Sequence, residues 1–85
     1  ADKEIIALIT LKIIQLNLKD DLEKDEFAQK FALGFPINLI SDFVTRIIEL
    51  TAKSASKQGT YYGRIKNIDL LTILTRFVSK AAKPL

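Results

Sequence analysis

The sequence predicts an all-α domain in which a long central helix is flanked by shorter helices. Apolar residues recur at helical spacing in four segments of the 85-residue chain, and Gly, Pro or Asn stands at most of the boundaries between them. The chain has no cysteine and no histidine, which excludes a disulfide framework and a zinc module as sources of stability. We therefore expect a single helical domain over residues 1–85.

The first predicted helix runs from Asp2 to about Leu18. One face of this helix is strongly apolar, and further aliphatic residues extend the apolar surface almost all the way round the helix. That face consists of Ile6, Ile9, Ile13 and Leu16. Because many residues of this segment are β-branched, a β-strand is the alternative prediction for it. A helix that is apolar on nearly every side must be covered on nearly every side.

A charged block, KDDLEKDE over Lys19–Glu26, follows this helix. It indicates either a solvated connection or the polar start of another helix, and the absence of glycine within it argues against a calcium loop. A short helix from about Asp25 to Leu33 is predicted next, because aromatic and alanine residues recur there at helical spacing. Gly34 fits the position just past its end.

The long central helix is predicted to begin near Pro36, a residue favoured in the first turn, and to continue towards Gly59. At 1.5 Å per residue it would be on the order of 30 Å long. Its apolar face is formed by Leu39, Ile40, Phe43, Val44, Ile47 and Ile48. Such a helix is the element that the others are expected to cross.

The hinge GTYYGRIKNIDLL, Gly59–Leu71, separates this helix from the last one. The alternation over Tyr62–Lys66 predicts an extended segment with Ile65 buried and its two basic neighbours, Arg64 and Lys66, turned away from it. Asn67 is a favoured N-cap, so a final helix should begin there.

Two stretches, LISDFVTRIIELTAKSA and GRIKNIDLLTIL, together resemble the histone fold. The similarity is to the small histone-fold subunits of the transcription factor TFIID and to the related Spt-type coactivator subunits. It covers about Leu39–Lys80, includes Asp42, and extends weakly over Ile5–Asp21. Between Leu18 and Pro36 the chain departs from the pattern, so an extra short helix in the first loop is expected.

The resemblance implies a heterodimerisation module of a nuclear TFIID- or SAGA-like transcription complex, with a histone-fold partner or self-association. It places Arg64 to pair with Asp69 across the hinge and the last helix. The expected partner interface consists of Ile6, Ile9, Ile13, Phe43, Ile47, Ile48, Tyr62 and Ile65. A closed core within one chain is the alternative use of these residues.

Basic residues dominate from Lys53 onward, although the net charge is only +3. Arg64 and Lys66 sit where histone-fold loops meet phosphates, so the resemblance implies a weak DNA contact through them. A basic face that only aids solubility is the competing interpretation.

Missing histidine and cysteine remove the usual nucleophile and base pairs, so we expect no enzymatic activity, no catalytic residues, no cofactor, no metal and no small-molecule substrate. Uninterrupted apolar runs are too short for a membrane span. The alternative function is a self-contained helical bundle of microbial or phage origin, acting in the cytoplasm as an adaptor or immunity-type binding protein.

Overall fold

The computed structural model describes residues 2–54, 59–61 and 63–81, and the described chain is mostly helical. The helices are α1 (Asp2–Leu16), α2 (Asp21–Ala32), α3 (Ile40–Ser54) and α4 (Asn67–Ala81). A 3-10 turn (Ile37–Leu39) precedes α3, and two short strands, β1 (Thr60–Tyr61) and β2 (Ile65–Lys66), precede α4. The predicted all-α class is confirmed.

Helix α1 ends where Asn17 adopts a left-handed conformation, with φ of +50°. Its backbone N–H donates to the carbonyl oxygen of Ile13 at 3.2 Å, which closes the last turn. The helix therefore stops slightly before the predicted boundary at Leu18. Leu18 is nevertheless buried in the core, so it anchors the connection that follows.

Helix α2 begins four residues before the predicted start, within the charged block. Asp20 is its N-cap: one carboxylate oxygen accepts a hydrogen bond from the N–H of Leu22 at 2.8 Å. Asp21 and Glu23 lie in the first turn, where the positive end of the helix dipole stabilises acidic groups. Of the two interpretations of this block, the polar start of a helix is correct.

The predicted central helix is helical throughout the part, residues 37–54, that the structure describes. It starts as a 3-10 turn, and the α-helical part that the structure describes, Ile40–Ser54, has 15 residues, the same as α1 and α4. At 1.5 Å per residue this is roughly 22 Å. The predicted continuation over residues 55–58 lies outside the described residues.

The hinge forms a hairpin within the chain instead of a single extended segment. Thr60 pairs with Lys66 and Tyr61 with Ile65 in antiparallel register. Gly63, with φ of +71°, supplies the left-handed residue of the turn, and the N–H of Arg64 donates to the carbonyl oxygen of Tyr61 at 3.0 Å. The part of the prediction that concerns Tyr62 lies outside the described residues.

Three aromatic rings form the centre of the core. The ring centroids of Phe43 and Phe77 lie 4.7 Å apart, and Phe35 lies 5.2 Å from Phe77. The most extensive backbone contacts join α2 to α4 and α3 to α4, whereas α1 makes few. The core of the fold is therefore formed by α2, α3 and α4. Helix α1 packs on them mainly through its side chains.

Within the described residues, no helix is by itself long and apolar enough to cross a membrane. The segments 21–32 and 37–54 are long and apolar enough only when they are taken together, and the chain bends by 120° between them.

Candidate interaction surface

The structure places most of the predicted partner interface inside the core of this chain. Six of the eight residues are buried: Ile6, Ile9, Ile13, Phe43, Ile47 and Ile65. Ile48 remains on the surface, 52% exposed, and Tyr62 lies outside the described residues. These six residues form part of the hydrophobic core of this chain, which is the alternative use that the sequence left open, and their role as a partner interface stays a prediction.

Asp69 bonds to a lysine on α2, so the predicted pairing with Arg64 is corrected. The Nζ of Lys24 donates to a carboxylate oxygen of Asp69 at 2.8 Å, and the two side chains are only 5% and 15% exposed. This buried ion pair joins the first turn of α2 to the first turn of α4. The ion pair lies at the contact between α2 and α4. The resemblance to the histone fold did not predict this contact.

Arg64 binds the carboxyl end of α1 instead. Its guanidinium donates to the backbone oxygens of Ile14 at 3.4 Å and Gln15 at 3.0 Å. These oxygens belong to the last turn of the helix, where carbonyl groups have no partner within the helix and a cation is favoured by the dipole. The hairpin thereby holds the end of α1.

Asn67 ties the start of α4 to the end of α3. Its side-chain N–H donates to the carbonyl oxygen of Thr51 at 3.1 Å, and its side-chain oxygen accepts from the hydroxyl of Ser54 at 2.6 Å. The helix starts at this residue, close to the predicted boundary. Its side chain, however, bonds to α3 and so brings α3 and α4 together beside the hairpin.

Among the described residues of the basic half, three side chains, Arg64, Arg76 and Lys80, contact acidic groups or a helix end. Arg76 lies 3.5 Å from Asp21 and 3.6 Å from Asp25, and Lys80 lies 3.4 Å from Asp25. Lys66 is exposed on the hairpin, as expected for a residue facing away from the core. The DNA contact predicted for it and for Arg64 stays a prediction.

An exposed aliphatic surface runs along α1, and we call it the α1 outer face. It comprises Ile5, Leu8, Leu11 and Leu16, whose exposed fractions are 38%, 66%, 50% and 50%. The opposite side of the same helix, with Ile6, Ile9 and Ile13, is buried. A helix that is apolar all round has therefore been covered on only one side.

Grooves border this helix on both sides. One, of about 410 Å³, lies between α1 and α3 and is lined by Ala7 and Arg46 among others. Another, of about 400 Å³, lies between α1 and α2, where Lys12, Phe31 and Leu16 contribute to its walls. The sparse backbone packing of α1 leaves these concavities, so the surface around it offers both ridges and recesses.

The buried Lys24 was missed from the sequence because it stands in the charged block. A signal was present: Lys24, Phe27 and Ala28 follow the i, i+3, i+4 spacing of one helical face. Extending the helix one turn backwards would have placed the lysine on the buried side. Among the described residues no cluster of three or more metal-binding side chains occurs.

Comparison with known proteins finds no matching family model, no matching curated protein and no matching solved structure.

Proposed function

We propose that this protein is a self-contained helical binding module that docks another protein on the α1 outer face. The observation that supports this most directly is the exposure of Ile5, Leu8, Leu11 and Leu16 on one helix. Contiguous exposed aliphatic groups of this kind mark interaction sites in small proteins. Water is excluded from such a face when a partner packs on it, and that burial supplies the binding free energy.

The spacing of the face suits recognition by a helix. Leu8 and Leu11 are three residues apart, and Ile5 precedes Leu8 by three, so their side chains form a ridge along α1. The grooves on either side can accept the side chains of a second helix packed along that ridge. This is the binding mode of an adaptor, one of the two functions expected from the sequence.

The histone-fold heterodimerisation module of a nuclear transcription complex is the second candidate. In its favour, the extended pair Ile65–Lys66 stands directly before the last helix, which is the order that the resemblance implies. The self-contained module is preferred because Ile65 is fully buried in its own chain and its strand pairs with Thr60–Tyr61.

The first test selects binding peptides from a displayed library of random amphipathic helices. We expect enriched peptides to shift the amide resonances of α1 in NMR titrations and to lose binding to Leu8→Glu. Leu22→Glu is the matched control, because Leu22 on α2 has the same 66% exposure as Leu8. Peptides that map to α4 or to the hairpin, or that bind both variants equally, would refute the proposed surface.

The second test separates the two candidates by thermal unfolding of the isolated chain. A self-contained module should melt in one cooperative transition, followed by circular dichroism. A histone-fold half would show that transition only together with a histone-fold partner, since most of its core would be completed by the other chain.

A further inference from the structure

The α1 outer face is self-complementary about Leu8. Four residues before it stands Glu4 and four residues after it stands Lys12, while Ile5 precedes it and Leu11 follows it by three. Residues three and four apart share a face of a helix, so all five lie on the same side of α1. Every one of them is exposed.

We propose that this face binds a second copy of the chain, with the two α1 helices antiparallel and related by a two-fold axis that passes between the Leu8 side chains. This names the partner for the proposed function and rests on it. In this register Leu8 packs on Leu8 of the second copy, and Ile5 packs on Leu11. Each Glu4 meets a Lys12, so one interface contains two opposite-charge pairs.

Charge complementarity selects both the partner and the direction. A parallel arrangement in the same register would set Glu4 against Glu4 and Lys12 against Lys12, which is unfavourable at both ends. The antiparallel arrangement converts both repulsions into attractions and keeps the aliphatic residues in contact. An isologous contact also needs only one surface patch, and α1 supplies it.

The surroundings of Lys12 are compatible with this arrangement. Its Nζ lies 5.9 Å from the ring centroid of Phe31, at the border between α1 and α2. The aliphatic stem of lysine can rest on an apolar surface while the ammonium group points outward. A short helix pair buries little area, so the dimer should be one that dissociates on dilution.

Cysteine trapping tests the register. The chain contains no cysteine, so Leu8→Cys introduces a single thiol at the proposed axis. We expect mild oxidation to give a disulfide-linked dimer as the main product, because helices in contact bring such positions within disulfide range. Leu22→Cys, with equal exposure in the monomer, is the control and should give several-fold less dimer. Equal or greater trapping at Leu22 would overturn the proposal.

A charge-reversal cycle tests the pairing, with the dimer dissociation constant measured by sedimentation. Glu4→Lys and Lys12→Glu should each weaken the dimer by about tenfold, since each replaces two attractions by two repulsions. The double variant should recover to within about threefold of the natural chain. If the double variant is weakened by the sum of the two single effects, the proposed register is wrong. A chain that stays monomeric at all concentrations would also overturn it, while leaving peptide binding to Leu8 as a separate measurement of the proposed function.

Discussion

Two side-chain contacts between distant parts of the chain connect the helices and the hairpin. Lys24 and Asp69 form a buried ion pair between α2 and α4. Arg64 covers the carbonyl end of α1. The first contact lies in a place of low exposure, where losing one partner leaves the other charge without compensation, whereas the second involves an exposed arginine that solvent also stabilises.

We expect Asp69→Ala to lower the free energy of unfolding by about 3 kcal/mol, because it leaves the Lys24 ammonium group buried without a partner. In a Lys24→Met background the same change should cost far less, since no charge remains to be compensated. Chemical denaturation of the four chains measures this coupling. Arg64→Ala provides the control, and its effect should add to that of Asp69→Ala. Strong coupling between Arg64 and Asp69 would mean that the assignment of partners is wrong.

Three of the helix boundaries that the structure describes carry a local stop or start signal. Asp20 caps α2, Asn17 closes α1 in a left-handed conformation, and Asn67 begins α4 while bonding to α3. The hairpin depends on Gly63, whose φ of +71° is rarely adopted by other residues. The cap and the acidic first turn favour a helix start within the charged block, and the packing of α2 on α4 stabilises that helix.

The cap of α2 leads to a second prediction. Asp20→Ala should destabilise the fold by about 1 kcal/mol, because the N–H of Leu22 loses its acceptor. Asp20→Asn keeps an acceptor oxygen and should change stability by no more than a few tenths of a kcal/mol. Thermal or urea unfolding distinguishes the two variants. If both lose the same stability, the carboxylate acts through its charge and not through the cap.

At the scale of the whole molecule, the helices are unequally integrated. α2, α3 and α4 share the extensive backbone contacts, and α3 and α4 carry the core rings of Phe43 and Phe77. By contrast, α1 is attached through its buried stripe and the Arg64 hydrogen bonds. Its outward side remains aliphatic and bordered by grooves. An element with few backbone contacts is expected to open more readily than the rest of a domain, which suits a surface that adapts to a partner.

Native-state hydrogen exchange should show this difference. Amides in the middle of α1 should exchange faster than those in the middle of α4, because opening α1 disrupts fewer contacts. Arg64→Ala should accelerate exchange in α1 and leave α4 nearly unchanged. The measurement is made at a concentration below that at which any dimer forms. Equal protection of the two helices would show that α1 opens only with global unfolding.

Local sequence signals predicted the four helices and, within the described residues, most of their ends, although the start of α2 was placed four residues too late. Helical spacing of apolar residues, the glycines and Asn67 are local signals, and local signals decide local conformation. The sequence also predicted that Ile65 is buried and Lys66 exposed, because alternation in a strand sends neighbours to opposite sides.

Which side chains meet, and which apolar faces are covered, depends on how the helices pack. The pairing of Lys24 with Asp69, 45 residues apart, depends on how α2 lies on α4, and no local pattern encodes that geometry. Likewise Ile13 and Leu8 are both aliphatic residues of α1, yet Ile13 is fully buried and Leu8 is 66% exposed. Hydrophobicity is a property of each residue, whereas burial depends on the neighbours that the fold brings to it.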